Sequence, residues 1–292
     1  MPDISQTCVI GCDFSSSPSK RKPIVVALGA MHQGSVQLKQ MLQFETLPAF
    51  QQFLLHPAPD DVKCVGGFDL PFGLPRAWVE AMHWPTSWPE CMDRFAAHSR
   101  EELRQYFKSF CDARPVGAKF AHRATDIPAG SSPSMKWVNP PVAWMMHAGV
   151  PLLRQAAWSL PGLQTGRPHR VALEAYPGLL AREMVGHRSY KSDDKQKQTA
   201  ERWVARKDIL HALDMAQTRL ALRLKLTASQ HDSLLADGSG DALDAVLCMV
   251  QAAWACVQEE KAAQTDSAAP NSQADRYGLP DFDPLEGWIV SA

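Results

Sequence analysis

The sequence predicts a mixed α/β fold, and three features carry that expectation. Three apolar, β-rich runs joined by short polar connections open the chain. Two later runs of the same kind each end in a carboxylate. A long, almost wholly apolar helical run, "GSGDALDAVLCMVQAAWACV" (238–257), follows near the C-terminal end. An opening meander followed by alternating helices and strands is the pattern of an α/β layer structure.

"TCVIGCDF" (7–14) is an apolar run closed by Gly11 and Asp13 and reads as a buried strand. "SSSPSKRK" (15–22) is turn chemistry, with hydroxyls, Pro18 and charge. "PIVVALGA" (23–30) is β-branched and reads as the second strand; "SVQLKQMLQF" (35–44) alternates in part and reads as a third, half-exposed one. Short connections between them predict an antiparallel meander. "TLPAFQQFLLH" (46–56) has apolar residues at helical spacing with Thr46 as N-cap. "DVKCVGGFDLPFGLP" (61–75) gives a fourth strand ending at Asp69 before Pro71, Gly73 and Pro75. Residues 76–168, rich in Trp, His and Pro with helical patches such as "SREELRQYFKSFC" (99–111), read as a large, mostly helical insertion. "HRVALEAYP" (169–177) is a fifth strand closed by Glu174 and Pro177. A polar helical region (195–225) and then the apolar helix from about 239 follow. Residues 262–276, low in hydrophobes, read as a flexible link, and "LEGWIVSA" (285–292) as an added edge strand. No internal repeat is visible, so all 292 residues are expected to form one domain.

Composition narrows the function classes. Apolar residues make up 45% of the chain, enough for a sizeable core. A formal net charge of −1 gives no global attraction to a polyanion, so any such site has to be a local patch. The seven cysteines are scattered and form no C-x-x-C. That is the pattern of reduced, mostly buried thiols in a cytoplasmic protein. The N-terminal residues lack signal-peptide character, and the apolar run is too short and too interrupted for a membrane span.

The chemistry-bearing feature is acidic. Asp13, Asp69 and Glu174 close strands, and Asp241 and Asp244 open the apolar helix. Each alone has a plain explanation: Asp starts turns, and acids in a first helical turn complement the macrodipole. Together they are harder to explain that way. An i, i+3 pair shares one helix face, with Cβ atoms about 5–6 Å apart. Because the helix is apolar on nearly every side, its first turn should abut the sheet, where several unpaired carboxylates repel one another. A hard divalent cation, Mg²⁺ or Mn²⁺, relieves that repulsion. Two such ions about 3.5–4 Å apart can stabilise both oxygens of a phosphoryl displacement.

These motifs resemble the ribonuclease-H-like superfamily, in particular its Holliday-junction-resolvase branch. "VIGCDFSSS", "GGFDLPFGLP", "ALEAYP", "YK" (190–191) and "GDALDAVLCM" look closest to a family of unknown function, predicted to be nucleases of that fold. The segment "HRATD" (122–126) is similar to that family as well. The resemblance implies a five-stranded mixed sheet with its first three strands antiparallel and helices on both faces. It implies that Asp13, Asp69, Asp241 and Asp244 bind one or two metal ions. Glu174 would support them, although the resolvase branch does not require an acid there. The implied activity is metal-dependent phosphodiester hydrolysis on a nucleic acid or nucleotide.

For phosphate contact the candidates are Lys191, Lys119, Arg123 and Ser15. Lys191 lies in a stretch, 182–207, with eight Lys/Arg against four acids, which reads first as an ordinary solvated helix face and second as a phosphate-contacting surface. Lys119, Arg123 and Lys136 lie near Trp137 and Trp144 in the insertion, a pattern shared by nucleotide clamps and by local core. Asp126 could instead pair with Arg123. Ser15 belongs to a loop that either holds phosphate or simply turns. Two other function classes compete. A phosphotransferase or ATPase of the sugar-kinase or actin-like type uses a related sheet, but only one half of such a protein is legible. A non-catalytic binding module would keep the fold and part of the acid set.

Overall fold

The opening meander forms in the computed structural model, which describes residues 7–32, 34–264 and 274–292. Strand β1 (Cys8–Asp13) pairs antiparallel with β2 (Ile24–His32), which pairs antiparallel with β3 (Ser35–Phe44). Helix α1 (Leu47–Leu55) follows, capped as expected by Thr46, whose hydroxyl accepts from the Ala49 amide at 3.2 Å. Strand β4 (Cys64–Asp69) then returns parallel to β1.

The next stretch is helical, as its pattern suggested. It holds α2 (Arg76–Ala81), α3 (Trp88–Ala97), α4 (Arg100–Asp112), the single turn α5 (Asp126–Ala129) and α6 (Val142–Gln155). Helix α4 begins with a reciprocal Ser99–Glu102 capping box. A two-residue strand, β5 (Trp158–Ser159), leads to β6 (Arg167–Glu174), parallel to β4. Helices α7 (Pro177–Val185) and α8 (Ala200–Asp214), strand β7 (Arg223–Lys225), helix α9 (Ala228–Ala236) and helix α10 (Asp241–Gln264) complete the main order.

The sheet therefore has seven strands, in the order β5-β6-β4-β1-β2-β3-β7, where five were expected. The two additions are the short edge strands β5 and β7. Their two and three residues are too few to show an alternating pattern, and β7 lies inside a segment that read as continuous helix. The C-terminal run is not an edge strand. It makes one parallel bridge, Glu174 to Ile289, with the Val290 amide donating to the Glu174 carbonyl at 2.8 Å. Of the expected flexible link, 262–264 belong to α10 and Asp275–Tyr277 form a 3-10 turn; 265–273 lie outside the described residues.

Both sheet faces are covered. Val9, Val25, Ala27, Val65, Val171 and Leu173 pack on α7 through α10. Ile10, Cys12, Ile24, Val26, Phe68 and Ala172 face the other way, toward the helices between β4 and β5. This double burial explains why the central strands read as continuous apolar runs. Among the described residues no helix is long and apolar enough to cross a membrane. All seven cysteines are free thiols, six of them buried.

Helix α10 crosses the sheet at very close range, and two glycines permit it. A Cβ on Gly11 would lie 1.9 Å from the Ala245 carbonyl oxygen, and one on Gly67 would lie 2.5 Å from that of Cys248. The obstacles are backbone atoms that no rotamer change can move. Gly11→Ala is accordingly expected to cost about 3 kcal/mol, at the upper end of overpacking effects, read as a lower urea midpoint. An unchanged midpoint would mean that α10 sits farther from the sheet.

Candidate active site

Strand periodicity decides which acids meet. Asp13 follows Gly11 by two residues and Asp69 follows Gly67 by two, so both carboxylates point to the face crossed by α10. Parallel pairing of β1 with β4 sets Asp13 directly beside Asp69; adjacent strands lie about 4.8 Å apart. The close approach of α10 brings its first turn, with Asp241 and Asp244, over this end of the sheet.

Glu174 falls on the opposite parity. Its register partner is Phe68, and with Ala172 it faces the helical layer. There Arg123 grips it with two hydrogen bonds, Nη1 to Oε2 at 2.8 Å and Nη2 to Oε1 at 2.6 Å, and the Phe72 amide donates to Oε2 at 2.8 Å. Arg123 also holds Asp126 through Nε at 3.1 Å and Nη2 at 2.9 Å. Arg123 is 1% exposed, Asp126 1% and Glu174 3%. Glu174 and Arg123, expected as a catalytic acid and a phosphate ligand, thus hold each other and Asp126 in a nearly fully buried network, which lines a small cavity together with Asp69. Burial pushes the Glu174 carboxyl up, and Arg123 opposes the shift.

Asp244 is fully buried and doubly held. Tyr190 donates its hydroxyl to Oδ1, and the Lys191 ammonium binds Oδ2. These two residues arrive on a segment fixed from both sides. Arg206 donates to the Tyr190 carbonyl at 2.7 Å and the Leu235 carbonyl at 3.0 Å, and the Ser192 amide donates to the Gly238 carbonyl at 3.0 Å. Gly240, at φ +78°, is the glycine this requires, because a Cβ there would lie 2.6 Å from the Lys191 Cβ. Asp237 caps α10, accepting from the Ala242 amide at 3.0 Å. Asp241 accepts from Lys22 Nζ at 2.8 Å, and Lys22 also binds Asp193 at 2.9 Å.

Asp13 and Asp69 are half-buried, and among the described residues no hydrogen bond reaches either carboxylate. Burial and then Asp244 hold the Asp13 carboxyl well above its ordinary range, with Asp69 adding to the effect and Lys191 opposing it. The Asp69 carboxyl is pushed up to about 7 by burial and then by Asp244. Burial also raises Asp244, against the pull of Lys191 and Tyr190. Burial works against the charge of Lys191, yet Asp244, Asp13 and Asp69 together raise its pKa. The centre is a cluster of three carboxyl groups, of which Asp244 alone is paired with a lysine.

Among the described residues no set of three or more His, Cys, Asp or Glu side chains is gathered tightly enough to hold a metal ion. The donor chemistry nonetheless suits a hard cation: two half-buried carboxylates without hydrogen-bond partners, next to a third whose counter-charge is a 42% exposed lysine side chain.

The remaining candidates divide. Ser15 follows Asp13 by two residues, and its hydroxyl accepts from the Ser17 amide at 3.4 Å, a local turn. Lys119 is exposed on the loop after α4, and no contact among the described residues joins it to the acids. Trp137 stacks on Phe107, 5.8 Å between ring centroids at 14°, and Trp144 is buried, so both are core. In the basic stretch Arg206 is buried and Arg188 pairs with Asp208 at 2.7 Å. Lys22 and Asp237 were missed. One sits in a turn and the other five residues before its amide partner, and neither spacing is a motif. No protein-family model, curated protein or solved structure matches the chain.

Proposed function

We propose that the protein is a metal-dependent phosphodiesterase of ribonuclease-H-like fold acting on nucleic acid. The observation that carries this reading is the pairing of Asp13 with Asp69 under the first turn of α10, both unpartnered and both raised by Asp244. The central strand order β6-β4-β1-β2-β3, with the first three antiparallel, supports the fold resemblance. Asp13, Asp69 and Asp244 would hold Mg²⁺ or Mn²⁺, with Asp241 at the rim. A bound divalent ion supplies Lewis-acid stabilisation of charge on the phosphate oxygens. The chain's own residues supply the rest. Lys191 is placed to leave Asp244 and neutralise a phosphate, and Tyr190 fixes the orientation of Asp244.

Metal binding has a signature in stability. A carboxyl raised in the folded state contributes stability that is complete below its unfolded pKa and is lost as pH rises through the folded value. For Asp69 that window runs from 3.8 to about 7. In EDTA the melting temperature is expected to fall across pH 5 to 7, by the equivalent of a few kcal/mol, and Asp69→Asn is expected to flatten the slope. A bound cation favours the ionised carboxylates, so in Mn²⁺ the melting temperature should instead rise with pH. A melting temperature at pH 8 indifferent to Mn²⁺ and Mg²⁺, together with no cleavage of DNA or RNA, would overturn the proposal.

A further inference from the structure

A cavity of about 640 Å³ opens beside Asp241, between the β1–β2 turn, β3 and α9. Nothing in the acid cluster requires it, yet the backbone is shaped to furnish it. Reciprocal hydrogen bonds between Ser19 and Lys22, at 3.1 and 3.2 Å, close a tight turn with Lys20 and Arg21 at its tip. Lys22 ties that turn to Asp241 and Asp193, leaving Lys20 and Arg21 to line the cavity. Across from them, the β2–β3 register slips between Leu28 and Gly29, which makes Lys39 the extra residue of a bulge. Bulges re-aim a side chain, and Lys39 also lines the cavity.

The walls differ in character. Val25, Leu38 and Leu234 give an apolar floor, and Ser229 and Ser233 of α9 add hydroxyls. Two carboxylates border the space, but both are already occupied: Asp241 by Lys22, and Asp237 by the Ser239 hydroxyl at 2.6 Å and the Ala242 amide. Three cations over an apolar floor suit a phosphate-bearing group with a flat, partly apolar body. The volume is that of a small-molecule site.

We infer that this cavity seats an unpaired nucleotide flanking the scissile phosphate, so that the substrate is single-stranded nucleic acid. The inference rests on the phosphodiesterase reading for the neighbouring acids. The recess is open on one side, and a base lowered onto its apolar floor cannot at the same time be stacked and paired in a duplex. Cations at the rim would take the backbone while the apolar floor takes the base face, the division of labour of single-strand sites.

The test is binding of a fluorescein-labelled oligothymidylate, followed by anisotropy in EDTA so that cleavage plays no part. The combined variant Lys20→Glu/Arg21→Glu/Lys39→Glu is expected to weaken binding roughly tenfold or more. It should also reduce the salt dependence by about two units of slope, the amount for three single-strand phosphate contacts. Lys195→Glu/Lys197→Glu, on an exposed 3-10 turn, should leave binding unchanged. Wild-type protein that does not bind the oligonucleotide, a triple variant that binds like wild type, or equal affinity for the duplex each overturns the inference. The acid-site reading fails separately, if Asp13 and Asp244 variants cleave normally whatever the binding result.

Discussion

Asp244→Asn is expected to lower Mg²⁺-dependent cleavage by on the order of 10²–10³-fold, the scale of losing one group that stabilises developing charge, while the protein stays folded. The substitution keeps the shape of the side chain, and the Tyr190 hydroxyl keeps an oxygen to donate to. What it removes is the negative charge at the middle of the cluster. Asp244 is the group that raises both Asp13 and Asp69 most after burial itself. Without it each strand acid loses the repulsion Asp244 exerts on it, and Asp69 titrates closer to an ordinary carboxyl. The loss is therefore expected in two readouts: cleavage falls, and the pH midpoint of residual activity moves down. Asp208→Asn, which breaks only the exposed pair with Arg188, provides the control. Full activity in both Asp244→Asn and Asp13→Asn would show that the acids serve the fold and not the chemistry.

The acid cluster was legible to the extent that simple periodicities expressed it. The D-x-x-D spacing set two acids on one helical turn, and the apolar run behind them implied that this turn would be buried. Gly11 and Gly67, each two residues before an acid, mark where α10 passes. What the letters did not hold was the face of the sheet toward which each strand acid points. Glu174 ends its strand much as Asp13 and Asp69 do, yet its parity sends it to the other side, and only the register with Phe68 reveals this. The same limit applies to Arg123. Cations near tryptophans suit a nucleotide clamp as well as a core, and the choice was made by a carboxylate 51 positions away. Lys22 and the Lys39 bulge belong to a third kind of information, held in turn geometry and pairing slips that no residue type announces.

Arg123→Met is expected to destabilise the protein by about 3–5 kcal/mol, the cost of leaving buried charge without its partner, or a fall in melting temperature of roughly 10 °C for a domain of this size. Methionine fills much of the space but leaves the Glu174 and Asp126 carboxylates facing each other, both almost fully buried. The two must then take up protons or draw in water. The deficit should accordingly be larger at pH 8 than at pH 5, where protonation relieves it. Adding Glu174→Gln to Arg123→Met removes one of the stranded charges and should recover part of the loss, a coupling that a double-mutant cycle measures directly. The pattern separates a structural ion network from a phosphate site. A phosphate ligand would lose oligonucleotide affinity with little change in stability, whereas Arg123 also donates to the Glu286 carbonyl at 3.0 Å and so ties the C-terminal segment to the sheet. A destabilisation below about 1 kcal/mol, in the range of an exposed ion pair, would mean that Arg123 is not the keystone of this layer and would return it to the list of substrate contacts.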